Sequence, residues 1–362
     1  MTKSEGRRLG WKEFLLSLFL IVTVWASGTL FFGGGEDPRI VETEGRVQVM
    51  FTAPHAPDEG QDAGGLDVTL AKAIDGAEKR VDVAAYDFDL TTVAQALVAA
   101  QQRGVDVRLV TDSDYVNEAG AALVQQAGIP VVEDGRSAFM HNKFVIIDER
   151  EVWTGSWNLT ENGTYRNNNN LLRIESPALA QSYTAEFEEL FTHQIFGAGS
   201  PEDPSVLEVE VGGILIESYF SPEDNIQSRL LDLLEGAEQS IHFLAFTLTD
   251  TELAQALSRQ HKAGVTVQGV VEKRNVNSMG SDVEALRQAG LDVRLDGNPY
   301  NLHHKVIIID KAIVVTGSYN FSRSAAEQND ENLLILHSSE IAEHYMSEFE
   351  RLYVEAEEAS HE

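Results

Sequence analysis

Apolar and polar positions along the chain follow one scheme twice. Residues Val81 to Asp112, VDVAAYDFDLTTVAQALVAAQQRGVDVRLVTD, open as a short β-rich run and continue with apolar positions at helical spacing. They then stop at Gly104 and resume as a second apolar strand. Residues Ile241 to Glu272, IHFLAFTLTDTELAQALSRQHKAGVTVQGVVE, repeat that order, with Ala254-Gln255-Ala256-Leu257 matching Ala94-Gln95-Ala96-Leu97 and Gly264 matching Gly104. Each stretch predicts a βαβ unit. Further on, Ala127-Gly128-Ile129 and Ala289-Gly290-Leu291 each read as a helix end feeding a strand, and the runs FVII and VIII that follow read as buried strands. A helix is expected to close each half, near 182–192 and 340–355.

The stretch GAGSPEDPSVLEVEV, residues 197–211, is rich in Gly, Pro and Ser and separates the copies. We therefore expect two α/β domains, 47–205 and 206–362, packed as a pseudo-dimer about a two-fold axis. Ahead of them, residues 14–32 form a run of nineteen without a charge, which as a helix would span ~28 Å. Lys3, Arg7, Arg8 and Lys12 precede it, so an uncleaved anchor would hold the N-terminus in the cytoplasm and the rest outside. The competing reading is a signal peptide cleaved near Val24-Trp25-Ala26. Residues 1–35 are thus assigned to a cytoplasmic tip and anchor, and 36–46 to a linker.

Composition narrows the chemistry. The net charge of −31 repels polyanions over most of the surface and restricts phosphate binding to a local basic pocket. The chain has no cysteine, which excludes disulfides, thiolate metal sites and a cysteine nucleophile.

The second repeated element carries reactive groups. From His141 the chain reads HNKFVIIDEREVWTGSWNLTENGTYRNNNNLL, and from His303 it reads HHKVIIIDKAIVVTGSYNFSRSAAEQNDENLL. In both, Lys stands two residues after His, Asp seven after, Gly-Ser at fourteen and fifteen, and Asn at seventeen and twenty-nine. Residues two apart on a strand share a face, so His141 projects with Lys143 and His303 with Lys305. Asp148 and Asp310 fall at odd spacing and read as structural or turn-forming. Ser156, Asn158, Ser318 and Asn320 are placed to donate to non-bridging phosphate oxygens, while Asn169, Asn170 and Asn332 read as structural parts of the motif. Trp153, Trp157 and Tyr319 read as packing residues, and Lys273-Arg274 as part of a loop rimming the site.

This doubled H-x-K-x4-D-x6-G-S pattern resembles the phospholipase D superfamily over essentially all of residues 47–355. The resemblance implies two α/β/α sandwich domains related by duplication, and a two-step displacement through a phosphohistidine with no metal and no cofactor. One His attacks phosphorus; the other protonates the leaving oxygen and then activates water. The copies differ where His303 is followed at twenty-eight by Glu331 and His141 by Asn169. In the family an acid there typically bonds the catalytic imidazole. Read within each copy, Glu331 would favour imidazolium at His303 and the Asn169 amide would leave His141 unprotonated. His141 is then the nucleophile and His303 the general acid.

Charge and anchor favour a phospholipid head-group phosphodiester as substrate, presented at a membrane held by residues 14–32. The same chemistry would serve an endonuclease on DNA or RNA, a phosphatidyl transfer to an alcohol, or, without turnover, a tethered binding module.

Overall fold

The computed structural model describes residues 39–43, 45–54, 64–200 and 207–359. The expected anchor over 14–32 lies outside them; among the described residues no helix is long and apolar enough to cross a membrane. The described residues form one compact unit, built on two eight-stranded mixed sheets.

The first sheet comprises β1 (Arg39–Thr43), β2 (Val47–Phe51), β3 (Arg80–Ala85), β4 (Asp106–Thr111), β5 (Val131–Glu133), β6 (Lys143–Ile147), β7 (Glu151–Gly155) and β8 (Asn170–Glu175). They lie in the order β1-β2-β8-β7-β6-β3-β4-β5. The second comprises β9 (Leu207–Val211), β10 (Ile214–Ser221), β11 (Ser240–Ala245), β12 (Thr266–Val271), β13 (Asp292–Leu295), β14 (Lys305–Ile309), β15 (Ile313–Gly317) and β16 (Glu331–His337), in the matching order read from the other edge. The repeated units pair β3 with β4 and β11 with β12 in parallel, each across a helix, Thr91–Gln102 or Thr251–Ala263. The motif strands β6 and β14 join antiparallel to β3 and β11.

Two stretches read as connectors contain edge strands. Arg39–Thr43, inside the expected linker, pairs with β2, and Leu207–Val211, inside the expected separator, pairs with β10. The alternation Leu-Glu-Val-Glu-Val suits an edge strand with one wet face, a signal that the neighbouring Gly and Pro residues obscured. The closing helices run Pro177–Glu188, continued by a wide turn over Glu189–His193, and Ser339–Ala359.

Strand parity distributes the core. In β6, Phe144 and Ile146 enter a core common to both halves while Val145 and Ile147 enter one under the outer helices. In β14, Val306 and Ile308 divide from Ile307 and Ile309 the same way. Trp153, Trp157 and Tyr319 are buried in the outer cores, as their pattern predicted. The common core is knitted by reciprocal aromatic contacts. Tyr183 meets Phe220 at 5.0 Å, and Tyr345 meets Phe51 at 5.1 Å, each from a closing helix to a strand of the opposite half. Burying each such ring contributes about 1.5–3 kcal/mol.

Polar contacts cross the same way. The Asn170 amide donates to Thr316 Oγ1 (2.8 Å) and the Tyr345 hydroxyl (2.9 Å), and the Asn332 amide donates to Thr154 Oγ1 (2.7 Å) and the Tyr183 hydroxyl (3.2 Å). These four groups are buried, so their bonds cannot be exchanged for water. Asn332→Ala is expected to lower unfolding free energy by about 1–3 kcal/mol, read as a lower urea midpoint at unchanged slope. An unchanged midpoint would show that these bonds do not hold the halves together.

Candidate active site

The segments that precede the motif strands do not end inside their own half. Met140 bridges to Asp330 and Leu302 to Asn168. His141 N–H therefore donates to Asp330 O (2.9 Å), and His303 N–H to Asn168 O (3.0 Å). Each motif histidine is pinned by backbone to the opposite half, next to the start of that half's last strand. The expected pairing of each imidazole with the residue twenty-eight positions later in its own copy is thus replaced by an exchange.

Glu331 Oε2 lies 2.6 Å from His141 Nδ1, not on His303. Asn169 Oδ1 lies 2.9 Å from His303 Nδ1, not on His141. This corrects the reading that placed the carboxylate on His303, and it moves Asn169 from a structural role into the site. Spacing within one copy could not reveal it, because the partner comes from across the duplication.

The surrounding bonds fix which atom faces which. Asn169 Nδ2 donates to Gly163 O (2.8 Å) and Ser156 Oγ donates to Asn169 Oδ1 (2.9 Å), so the amide oxygen is held toward His303. An acceptor there requires Nδ1–H on His303 and leaves Nε2 as a lone pair, which accepts from Lys305 Nζ at 3.0 Å. Glu331 Oε2 also accepts from Ser318 Oγ (2.7 Å) and its Oε1 from Asn329 Nδ2 (3.1 Å). By the same argument His141 carries its proton on Nδ1 and turns Nε2 to the site.

Both serines were expected to contact phosphate. Each hydroxyl proton is instead spent on the histidine's partner, so Ser156 and Ser318 act as supports for Asn169 and Glu331. Asn158 and Asn320 keep buried side-chain oxygens with no hydrogen-bond partner in the protein. The glycines before the serines are required by close approach: a Cβ on Gly155 or Gly317 would stand 2.3 Å from Asn170 O or Asn332 O.

The lysines sit beside their histidines as strand parity predicted. Lys143 Nζ donates to His141 O and Lys305 Nζ to His303 O, both at 2.8 Å. Each ammonium lies 4.9 Å over an aromatic ring, Tyr86 for Lys143 and Phe246 for Lys305. These rings also pack edge-on against His141 and His303, both at 4.7 Å. Sequence reading missed this aromatic pair, although Tyr86 and Phe246 occupy one matched position in the repeated units.

His141, His303, Lys143 and Lys305 are at most 6% exposed, and Glu331 and Asn169 are 0% exposed. Burial and the two lysines hold both imidazoles well below their usual range. Burial brings Lys143 down to about 7 against the pull of Glu331, Asp87 and Asp112, and burial with Lys143 as neighbour holds Lys305 well below its usual range against the pull of Glu331. Burial lifts Glu331 to about 7, against the two lysines and the Ser318 and Asn329 hydrogen bonds. Glu331 of one half on His141 and Asn169 of the other on His303 bring the two motifs together.

The motif aspartates stand apart from it, in the turns after β6 and β14. Asp148 accepts from the backbone N–H groups of Glu78, Lys79 and Arg80, and Asp310 from those of Glu238, Gln239 and Ser240, all at 2.7–3.2 Å. Both have positive φ, 54° and 51°, in the three-residue connections of the β6–β7 and β14–β15 hairpins. His304, next to His303, points the other way and is packed at 0% exposure against Asn170 and Glu348.

A family model described as the PLD-like domain of cardiolipin synthase matches the chain twice, at residues 70–191 and 230–353, together more than half of its length. The chain belongs to the phospholipase D superfamily. The two matches correspond to the two sheets and establish the duplication. A mitochondrial cardiolipin hydrolase of Xenopus laevis is 37% identical over 138 residues, 38% of this chain and 66% of that protein. A protein named phospholipase D from Rickettsia typhi is 34% identical over 131 residues, 36% of this chain and 64% of that protein. The chain thus spans about two thirds of these relatives' own length. In structure, a phosphatidylserine synthase of Haemophilus influenzae shares the fold at TM-score 0.59 and 16% identity, over 84% of this chain and 88% of that one. The two halves depart from equivalence at one matched position, an amide, Asn169, in the first and a carboxylate, Glu331, in the second.

The departure is measurable. Asn169→Asp puts a carboxylate on His303 Nδ1 and stabilises its imidazolium, so the ring should titrate at higher pH than in the native protein, by about one pH unit or more. NMR titration of the ring carbons reads this directly. A titration that shifts at His141 in place of His303 would contradict the exchange of partners.

Proposed function

We propose that the chain is a metal-independent phosphodiesterase of the phospholipase D type, with phospholipid head-group phosphodiesters as its substrates. The observation that carries the reading is the unequal partnering of two imidazoles that share one pocket. When an imidazole Nε2 bonds to phosphorus, its ring gains positive charge. A carboxylate on Nδ1 stabilises that charge, and an amide oxygen does so far less. Glu331 therefore suits His141 to attack, and Asn169 leaves the His303 imidazolium a stronger acid, suited to proton donation. The roles are those expected from sequence, on a different physical ground.

The phosphodiester anion enters with one proton, which takes the place of the Lys305 bond on His303 Nε2. In the first step His141 Nε2 then forms a bond to phosphorus, the bond to the leaving alcohol breaks, and His303 gives that Nε2 proton to the departing oxygen. In the second, neutral His303 takes a proton from water, the water oxygen bonds to phosphorus, and the P–N bond breaks. A phosphomonoester leaves and His141 returns to its starting form. Lys143 and Lys305, with the amides of Asn158 and Asn320, stabilise the charge on the non-bridging oxygens.

Two features support the lipid substrate. The net charge of −31 disfavours a nucleic-acid strand, and the uncharged run 14–32 suits a membrane anchor that sets the site beside a lipid surface, outside the cytoplasm. Full-length protein is expected to cleave an aryl phosphodiester in excess EDTA, and His141→Ala to lower that rate by about 10³-fold or more. Phosphatidylcholine vesicles and single-stranded DNA or RNA, supplied in parallel, test the substrate. Cleavage of nucleic acid with lipid untouched would overturn the lipid assignment; full activity in His141→Ala would overturn the mechanism.

A further inference from the structure

The duplication makes the two sides of the pocket comparable position by position, and their mouths differ in kind. Beside His141 stand Tyr86, Tyr115 and Phe139; at the matched positions beside His303 stand Phe246, Asn275 and Asn301. Tyr86 forms the centre of the first group, 4.7 Å from Tyr115, 5.3 Å from Phe139 and 4.7 Å from His141 between ring centroids. Phe139 is 39% exposed, one of few large apolar side chains so placed among the described residues, and its ring lies 6.3 Å from His141.

The opposite mouth is polar. Asn275 Nδ2 donates to Phe246 O (2.7 Å), and Arg274 reaches Pro299 O (2.6 Å) and the side chain of Asn301. Lys273 joins it, donating to Asn298 O at 2.6 Å.

Charge divides along the same line. The aromatic side is fringed by Asp87, Asp112, Asp114, Glu118 and Asp134, with Asp114 and Glu118 exposed. Burial first, and then Asp89 and Glu118 beside Asp87 and Asp134 and Asp114 beside Asp112, push both carboxyls up to about 6. The nearby Arg136 is engaged by Asp134 and Asp330. Such a rim repels a strand carrying a phosphate at every residue, but costs nothing to an uncharged group.

The proposed reaction, on which this inference rests, requires the two substituents of phosphorus to part. The leaving alcohol departs toward His303, and water must then enter from that side. The retained substituent stays bonded to phosphorus on His141 and has to lie clear of that path, on the His141 side. We propose that Tyr86, Tyr115 and Phe139 form a subsite for an uncharged, apolar substituent that remains on phosphorus during turnover. The glycerolipid part of a phospholipid has this chemistry, and a nucleoside within a strand does not.

Three p-nitrophenyl phosphodiesters that share a leaving group and differ in the retained one, methyl, octyl or thymidine 5′-linked, test the subsite on the full-length protein. Native protein should use the octyl ester with kcat/KM at least about tenfold above the methyl ester, since burial of a few methylenes suffices. Phe139→Asn, and independently Tyr115→Asn, should reduce that octyl-to-methyl ratio about fivefold or more. Both variants install the residue that the same fold carries at the matched position. Equal use of octyl and methyl by native protein, or a ratio unmoved in both variants, would overturn the subsite. Preference for the thymidine ester would assign the rings to base stacking and overturn the apolar occupant. Failure to cleave any of the three would overturn the phosphodiesterase reading itself, which is a separate result.

Discussion

The structure turns on an exchange. Each half supplies a lysine at the head of a buried strand and a histidine just ahead of it, and the other half supplies the group that holds the histidine's Nδ1. Because the hydrogen bond fixes the tautomer, neither imidazole presents a defined Nε2 until the halves are packed. Fold and chemistry are therefore joined at the same residues. Asn170 and Asn332, which follow Asn169 and Glu331, tie the halves together through Thr316, Tyr345, Thr154 and Tyr183.

Duplication alone would yield two equal histidines, with only the orientation of a bound phosphodiester to set their roles. A single difference in side-chain chemistry, carboxylate against amide at matched positions, breaks the equality. The serines of the two Gly-Ser pairs reinforce it, one bonding Asn169 and the other Glu331. The mouths break it again, with Tyr115 and Phe139 on one side where Asn275 and Asn301 stand on the other.

Much of this was legible in the sequence for definite reasons. The βαβ repeats showed as apolar periodicity, and the facing of His141 with Lys143 followed from strand parity. The aspartates fell at odd spacing and do sit in turns, where Asp148 and Asp310 collect backbone N–H groups. What stayed hidden were contacts whose partners lie far apart in the chain, since periodicity carries only local information. Glu331 was read onto His303, twenty-eight residues before it, when its partner is His141. The serines were read as phosphate donors because a hydroxyl beside a motif looks free until its acceptor is seen. The edge strands β1 and β9 were hidden within stretches whose composition reads as linker.

The central claim is that the two motifs build one phosphate site rather than two. A crystal structure of the full-length protein with vanadate tests it most directly, because vanadate adopts the five-coordinate geometry of phosphorus under attack. One vanadate per chain is predicted, its metal atom bonded to His141 Nε2 and its opposite apical oxygen hydrogen-bonded to His303 Nε2, with Glu331 still on His141 Nδ1. Two vanadates, each held by one His-Lys pair without the other, would contradict the account.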